Sequence, residues 1–330
     1  MERILLERET VELLIYTDAY ERIRGRLDAR VTPLVMHADA RVTRAGDTIA
    51  PNEVQPDIAW ANRDMYNLGP VRDFMVTCLK ASRLRWVQSS AAGFEHPVFA
   101  KLVGNGVTLT NSNASAVPIA EFIFAQIIQS FHPQAERLAA QQEKRWQTYD
   151  FRDVHGTRWL VYGVGHIGSE LAIRARAFGV EVVGCRRTPA GDEPVHKMIR
   201  PDELMDALPE ADVVIMTAAL NEENHHIVDE SFINAMKSGA TFVNIGRGGL
   251  VDERALLQGL DAGKPALAIL DVFEEEPLPE SSPFWSHPRV RLTAHCAGAS
   301  PGTSLRGDEQ FLANLRRYLD GEPLQMTVTL

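Results

Sequence analysis

The stretch Trp159-Leu-Val-Tyr-Gly-Val-Gly-His-Ile-Gly168 decides the fold of this chain. Its first four residues predict a buried strand, and its glycines follow the spacing G-x-G-x-x-G. A helical pattern comes next, and Gly179 ends it. The apolar face of that helix consists of Ile167, Leu171, Ala175 and Phe178. A strand, a glycine-rich turn and a helix in this order predict a βαβ unit of a dinucleotide-binding sheet.

Short apolar runs also alternate with helical patterns on both sides of this unit, which predicts an α/β fold with parallel sheets. Before the unit, we predict a helix at Val71–Leu79 and strands at Val11–Tyr16, Val31–His37, Asp57–Trp60, Leu84–Gln88 and Val107–Thr110. After it, we predict strands at Val180–Cys185, Val213–Met216, Thr241–Ile245, Ala266–Val272 and Val290–Thr293, and a last helix near Gly307–Leu319.

The chain has 330 residues, which is long enough for two domains. A long helix from Ile119 to Gln142, starting just after Pro118, is predicted to bridge them. We expect residues 1–113, completed by a C-terminal helix in residues 301–330, to form one α/β domain, and residues 114–300 to form an NAD(P)-binding Rossmann domain. The predicted architecture is two doubly wound parallel sheets, with the cofactor and the active site in the cleft between the domains.

Charge and composition exclude several classes of function. The formal net charge of −10 argues against a nucleic-acid partner, because phosphate binding needs clustered Lys and Arg. No stretch approaches the ~18 apolar residues of a membrane span, and the charged N-terminus does not resemble a signal peptide. Three scattered cysteines indicate reduced thiols and a cytoplasmic location. The spacing of His and Cys predicts no metal site.

The glycine-rich turn predicts the site of the dinucleotide. Gly163, Gly165 and Gly168 would let the backbone turn tightly and approach a pyrophosphate. His166 and Ile167 open the helix, where free N–H groups and the positive end of the helix dipole favour an anion. The alternative is a tight turn that binds no ligand.

The end of the next strand indicates which nicotinamide cofactor is used. An NAD-specific site has a carboxylate there for the ribose 2′-hydroxyl, whereas this chain has Arg186, Arg187 and Thr188 after Cys185. Two guanidiniums suit a 2′-phosphate, because Arg offers paired N–H donors. We therefore expect NADP(H) to be preferred and NAD(H) to remain possible. The alternative is a solvated surface turn.

Three reactive side chains, Arg247, Glu276 and His295, follow three predicted strands at their carboxyl ends. Active sites of open α/β sheets lie beyond those ends. In carbonyl reduction, His295 would exchange a proton with the substrate oxygen, and Glu276 would orient the imidazole and favour its charged form. Arg247 would bind a carboxylate through two N–H donors. Each residue alone has an ordinary structural explanation, so the prediction rests on the three together.

Four segments together resemble the D-isomer-specific 2-hydroxyacid dehydrogenase family. They are Val161–Gly168, Met236–Glu253, Leu270–Pro277 and Thr293–His295. The match is strong over residues 110–300 and weak over residues 1–85. The resemblance implies a glyoxylate/hydroxypyruvate reductase-like activity and a homodimer formed through the nucleotide domain. It also implies that residues 1–113 form a flavodoxin-like substrate domain.

The resemblance also implies roles for particular residues. Arg247 would bind the substrate carboxylate, Glu276 would support the histidine, and His295 would be the acid/base. Asp271 would contact the nicotinamide carboxamide, or alternatively cap its strand. The remaining expected contacts are Ala92 and Gly93 for the substrate, and Ile245, Gly246 and Gly298 for the cofactor, to which Arg247 and His295 also contribute.

The chain departs from the family at positions that affect substrate and cofactor choice. Ala294 stands where Pro commonly precedes the histidine, and Cys296 follows it. Glu95 stands where the substrate loop usually has Asp, Thr217–Leu220 differs from a cofactor-contacting segment, and Arg186 stands in place of an acidic residue. None of these changes removes a catalytic group.

Three functions stay open at the level of sequence. The first is reduction of glyoxylate, hydroxypyruvate or a larger 2-keto acid to a D-2-hydroxy acid. The second is phosphite oxidation on the same frame, which would also use Arg, Glu and His. The third is a nucleotide-sensing regulator or corepressor, which would not need the catalytic set. We expect a small 2-keto or 2-hydroxy acid as the partner, and neither nucleic acid nor membrane.

Overall fold

The computed structural model describes residues 10–91, 93–94 and 96–329. Its chain divides into two compact units. Unit 1 comprises Met1–Ser115 together with Ser300–Leu330, and unit 2 comprises Ala116–Ala299. The sequence-based boundaries stand at residues 113/114 and 300/301. Among the described residues, no helix has the length and apolar character needed to cross a membrane.

Strands and helices alternate along the described chain, which confirms the predicted α/β class. The strands are β1 (Val11–Tyr16), β2 (Val31–Met36), β3 (Val42–Arg44), β4 (Asp47–Thr48), β5 (Ile58–Ala61), β6 (Trp86–Ser89), β7 (Thr108–Thr110), β8 (Arg158–Tyr162), β9 (Glu181–Cys185), β10 (Lys197–Ile199), β11 (Val213–Met216), β12 (Thr241–Asn244), β13 (Leu267–Leu270) and β14 (Val290–Leu292). The α-helices are α1 (Thr17–Ile23), α2 (Arg63–Leu68), α3 (Val71–Lys80), α4 (Pro97–Gly104), α5 (Ala116–Phe131), α6 (Gln134–Gln142), α7 (His166–Ala177), α8 (Leu204–Ala207), α9 (Glu230–Ala235), α10 (Glu253–Asp261) and α11 (Pro301–Leu319).

Unit 1 contains a sheet with the strand order β4-β3-β2-β1-β5-β6-β7. Five neighbouring strands pair in parallel, in the order β2-β1-β5-β6-β7. The strands β3 and β4 form an antiparallel edge next to β2. The helix α11 belongs to this unit and packs Phe311 against Trp60, with ring centroids 5.3 Å apart. It begins at Pro301, earlier than the predicted Gly307, because the Ser300 side chain caps the helix by accepting from Gly302 N.

Unit 2 contains a fully parallel sheet with the strand order β10-β9-β8-β11-β12-β13-β14. The chain builds outward from β8 in one direction and then returns to add β11 on the other side of β8. The strand order therefore reverses between β8 and β11. Ligands of open α/β sheets bind beyond the carboxyl strand ends at such a switch point. This unit therefore presents the predicted glycine-rich turn at the position that favours a dinucleotide.

The prediction of one long helix from Ile119 to Gln142 is wrong. The structure has α5 and α6 in its place, separated by His132 and Pro133. Proline has no backbone N–H to continue the helical hydrogen bonds, so the helix ends before it. The helix also begins at Ala116, so Pro118 lies in its first turn, where the absent N–H needs no intrahelical partner.

The helical pattern also wrongly predicts that Phe178 lies on the buried face of α7. Leu171 and Ala175 are buried as predicted, but Phe178 is half-exposed at the C-terminal cap of α7. It follows the last helical residue, so it no longer shares the buried face. Its ring instead contacts Phe124 edge-on, with the ring centroids 4.7 Å apart.

Candidate active site

The glycine-rich turn between β8 and α7 has the backbone that its sequence predicts. Gly163 has a φ of +102°, and a Cβ there would lie 2.5 Å from the backbone nitrogen of Ala218. A Cβ on Gly168 would lie 2.6 Å from the carbonyl oxygen of Gly163. Both positions therefore require glycine, one for the turn and one for the close packing of the helix on the strand.

The middle glycine differs from the other two, because it faces open space. A Cβ on Gly165 would meet no other atom within 4 Å, and Gly165 caps the N-terminus of α7. His166 and Ile167 follow it in the first turn of the helix, whose backbone N–H groups lack intrahelical partners. The turn thus forms a cradle that suits a phosphate group.

The two predicted arginines follow β9, which pairs with β8 in parallel register, Cys185 opposite Tyr162. Both strands therefore end at the same level, and the residues after them meet. Arg186 donates from Nη1 to the carbonyl oxygen of Val164, inside the glycine-rich turn, at 3.3 Å. The structure thus places one predicted phosphate ligand directly beside the cradle. Thr188, the third predicted residue here, is exposed.

Each arginine of this turn also contacts a carboxylate. Arg186 Nη1 lies 3.0 Å from Glu193 Oε1, and Arg187 Nη1 lies 2.7 Å from Glu223 Oε2. Neither glutamate was singled out from sequence. Glu193 follows Arg186 by seven residues in a loop without periodic structure, so no pattern relates the two.

Asp271 organises the turn that follows β14. Its Oδ1 accepts from Thr293 Oγ1 at 2.5 Å and from Cys296 N at 2.9 Å, and its Oδ2 accepts from Ala297 N at 2.9 Å. The side chain is buried. The capping alternative from sequence is therefore present in the structure, across two strands rather than within one. The nicotinamide contact stays a prediction.

His295 sits at the centre of this turn. Its backbone N donates to the carbonyl oxygen of Asp271 at 2.8 Å, and its φ is +49°, which is uncommon for a residue with a side chain. Nδ1 lies 2.7 Å from Glu276 Oε2, while Glu276 Oε1 accepts from Phe273 N at 3.0 Å. The imidazole is about half exposed, and its Nε2 has no hydrogen-bond partner among the described residues. A ring that is held at Nδ1 and has no protein partner at Nε2 among the described residues is suited to proton transfer.

Arg247 is placed by Asn244, the last residue of β12, which sequence reasoning did not single out. Asn244 accepts from Gly246 N at 3.1 Å and donates to the carbonyl oxygen of Arg247 at 2.9 Å. Its signal in the sequence is a polar residue at the end of a strand, directly after the apolar pair Phe242 and Val243. Arg247 is half-buried, and its Nη1 donates to the carbonyl oxygen of Gly246 at 2.8 Å.

The Arg247 turn lies against the segment that carries the glutamate. A Cβ on Gly248 would lie 1.9 Å from the carbonyl carbon of Phe273, so only glycine allows this approach. The strands beneath also end at one level, because Leu270 pairs with both Asn244 and Leu292. The register of β12, β13 and β14 therefore brings the three predicted catalytic segments together at one edge of the unit 2 sheet.

The other predicted contacts divide between the two units. Ile245 and Gly246 are buried, and Gly298 is half-buried next to the His295 turn. Gly93 lies in unit 1 and is half-buried, while Ala92 lies outside the described residues. Within the described ranges, no group of three or more His, Cys, Asp or Glu is placed to hold a metal ion.

Comparison with known proteins gives three consistent findings. Residues 124–297 match the sequence model for "D-isomer specific 2-hydroxyacid dehydrogenase, NAD binding domain". The chain is 31% identical over 252 residues to a glyoxylate reductase from Korarchaeum cryptofilum, which covers 73% of this chain and 75% of that protein. It is 28% identical over 254 residues to D-3-phosphoglycerate dehydrogenase from Bacillus subtilis, covering 76% of this chain but only 48% of that longer protein.

A solved structure extends the similarity over nearly the whole chain. The D-isomer specific 2-hydroxyacid dehydrogenase from Xanthobacter autotrophicus Py2, crystallised with NADPH and MES, is 26% identical and has a TM-score of 0.76. The superposition covers 97% of this chain and 98% of that chain. The similarity therefore includes the first third, where the sequence resemblance is weak.

Proposed function

The chain belongs to the D-isomer specific 2-hydroxyacid dehydrogenase family and is an NAD(P)-dependent oxidoreductase, and on this basis we propose that it reduces a small 2-keto acid to a D-2-hydroxy acid, with NADPH preferred over NADH. Glyoxylate, hydroxypyruvate or a larger 2-keto acid is the proposed substrate. The glyoxylate reductase relative supports the first of these.

The observation that carries the proposal is the pair formed by His295 and Glu276. Nδ1 of the imidazole is 2.7 Å from the carboxylate, so the ring keeps a proton at Nδ1. Nε2 is then the nitrogen that gains and loses the transferred proton. In the reducing direction, Nε2 donates its proton to the developing alkoxide of the substrate. Before this transfer, the Glu276 carboxylate stabilises the positive charge of the imidazolium, and its second oxygen accepts a hydrogen bond from Phe273 N.

Arg247 supplies the positive charge that selects a 2-keto acid. Its guanidinium would bind the substrate carboxylate and polarise the adjacent carbonyl, which lowers the energy of the negative charge that builds on the oxygen. The nicotinamide, when bound, supplies the hydride to the carbonyl carbon. Asn244 fixes the backbone on both sides of Arg247, so this charge is held in place before substrate binds.

The residues present fit a dinucleotide. The cradle is open at Gly165, where an added Cβ would meet no other atom within 4 Å, and a side chain at Gly163 or Gly168 would disrupt its backbone. Arg186 lies beside the cradle, where the ribose of the cofactor would carry its 2′-phosphate. The crystallised relative with NADPH supports the same preference.

A turnover assay tests the proposal. The purified protein is mixed with a panel of glyoxylate, hydroxypyruvate, longer 2-keto acids and 3-phosphohydroxypyruvate, and the loss of nicotinamide absorbance is followed with NADPH and NADH in parallel. We expect turnover of at least one 2-keto acid, faster with NADPH at low cofactor concentration. Nucleotide binding without turnover of any 2-keto acid would contradict the proposal and would direct the assay to phosphite.

We also propose that the chain forms a homodimer through unit 2. Three apolar side chains of this unit, Leu138, Trp146 and Phe151, are more than half exposed, and Trp146 is fully exposed. These side chains lie within 14 consecutive residues of the chain, 138–151, and exposed apolar groups favour an interface when they form one patch. Sedimentation of wild type and of Trp146→Ala tests this: we expect a dimer that weakens in the variant, and a monomeric wild type would contradict it.

The cytoplasmic location stays a prediction from the sequence. The thiols of Cys78, Cys185 and Cys296 are unpaired, which is consistent with a reducing compartment.

A further inference from the structure

The two glutamates that contact the arginine turn have different surroundings. Glu193 pairs with Arg186, and its side chain is only 6% exposed. Glu223 pairs with Arg187, and its side chain is 74% exposed. Both form one ion pair with one arginine, so the difference in burial must reflect what else each carboxylate contacts.

Glu193 is fully engaged by its own loop. Oε1 accepts from Ala190 N at 2.6 Å as well as from Arg186, and Oε2 accepts from Gly191 N at 2.9 Å. These bonds, above all the one from Ala190 N, lower the pKa of Glu193 to about 2. The carboxylate is therefore ionised at every pH at which the protein would work, and its charge is balanced by three donors.

The engaged carboxylate holds one end of the Arg186 side chain. Nη1 is fixed between Glu193 Oε1 and the carbonyl oxygen of Val164. Nε and Nη2 have no hydrogen-bond partner among the described residues. A long, flexible arginine loses conformational entropy when it binds an anion, and a side chain that is already held loses less. Two N–H-bearing nitrogens of a held guanidinium therefore remain for a phosphate.

We propose that Glu193 is a positioning residue that determines the preference for a nucleotide with a 2′-phosphate, because it holds Arg186 beside the glycine-rich turn. This inference rests on the proposed use of NADP(H). Glu193 does not touch the phosphate and acts only through Arg186. Its negative charge does not repel the phosphate strongly, because the N–H groups of Ala190 and Gly191 and the guanidinium balance it.

Glu223 provides a matched comparison. Its pair with Arg187 is exposed on both sides, and solvent and salt weaken such pairs. A phosphate that binds Arg187 would displace this carboxylate rather than depend on it. Removing the charge of Glu223 should therefore leave NADPH binding unchanged or make it tighter, whereas removing the charge of Glu193 should weaken it.

Calorimetry tests the proposal by measuring the dissociation constants for NADPH and NADH. The variants are Glu193→Gln, Glu223→Gln, Arg186→Ala and the double variant Arg186→Ala/Glu193→Gln. For Glu193→Gln we expect the NADPH constant to rise about tenfold, the effect of losing one charge-assisted hydrogen bond. The NADH constant should change by less than about twofold, because NADH has no 2′-phosphate for Arg186 to bind. In the Arg186→Ala background, Glu193→Gln should have no further effect.

Several results would overturn this role. Unchanged or tighter NADPH binding in Glu193→Gln would mean that the carboxylate screens Arg186 instead of positioning it. An equal loss for NADH, or a loss that persists without Arg186, would mean that Glu193 only maintains the loop. Unchanged NADPH binding in Arg186→Ala would overturn the proposed cofactor preference itself. Thermal unfolding of Glu193→Gln beside Glu223→Gln shows whether the loop variant is folded.

Discussion

Asp271 shows how one side chain can serve the architecture of a site. Its two oxygens accept three hydrogen bonds from the turn that carries His295, and the carboxylate is buried. A carboxylate has about four lone-pair sites, so capacity remains for a carboxamide donor. From sequence, capping and cofactor contact were alternatives. The structure shows the capping contacts, which join Asp271 after β13 to the turn after β14. The sequence alone does not predict these contacts, because they depend on the register between the two strands.

The role of Glu276 leads to a prediction at this scale. Glu276→Gln removes the charge that stabilises the protonated imidazole of His295, so kcat/KM should fall roughly 10- to 100-fold, the effect of one hydrogen bond to a charged group. The neighbouring Glu275 is exposed and provides the control. Steady-state kinetics of both glutamine variants measure the difference, and equal rates in the two would contradict the role.

The three thiols should differ in reactivity. Burial raises the pKa of the Cys78 thiol and of the Cys185 thiol to about 12, so neither forms the nucleophilic thiolate at neutral pH. Cys296 is exposed beside His295. We expect one thiol to react with an aromatic disulfide reagent in the native protein and three after denaturation. Loss of the native reaction in Cys296→Ser identifies the thiol, and three reactive thiols in the folded protein would contradict the burial.

The glycine-rich turn permits a prediction at the scale of one element. Gly163→Ala would force a Cβ against the backbone of Ala218 and strain a positive φ, so the variant should unfold at a lower urea concentration. Gly165→Ala meets no protein atom and should keep its stability. Its methyl group would occupy the cradle, so nucleotide binding should weaken. Equal stabilities for the two variants would contradict this account of the turn.

The same scale shows where sequence patterns fail. The strands Val11–Tyr16 and Val213–Met216 agree with their predicted bounds to the residue, because the apolar runs Leu13–Tyr16 and Val213–Met216 mark buried strands. The hairpin of β3 and β4 was not predicted, since Asp47–Thr48 is exposed and polar and therefore carries no burial pattern. The break between α5 and α6 was overlooked although Pro133 marks it, because apolar periodicity alone continues past the proline.

At the scale of the whole molecule, the sequence predicted the α/β class and two parallel sheets, but not how the C-terminal helix joins unit 1. Asp308 of α11 is buried and accepts from Trp60 Nε1 at 3.1 Å and from Arg22 Nε at 2.6 Å. Asp308 is 248 positions from Trp60 and 286 positions from Arg22 in the sequence. Such contacts between distant segments leave no periodic signal, so the sequence predicts the helix and its domain but not the residues that attach it.

This junction gives a prediction about stability. Asp308→Ala leaves the indole N–H and the Arg22 guanidinium without their acceptor, so the free energy of unfolding should fall by about 2 kcal/mol or more. The adjacent Glu309 pairs with Arg26 at the exposed surface. Glu309→Ala should leave the urea midpoint unchanged, because exposed pairs contribute little. A similar midpoint for both variants would contradict the assigned role of Asp308.

The most direct test of the proposed function compares wild type with His295→Ala, using the 2-keto acid that the panel identifies and NADPH. Both kcat/KM and the NADPH dissociation constant are measured. If Nε2 of His295 transfers the substrate proton, kcat/KM should fall ~100- to 10,000-fold while NADPH still binds. A variant that keeps the wild-type rate would contradict the central claim, because the proton would then come from another group.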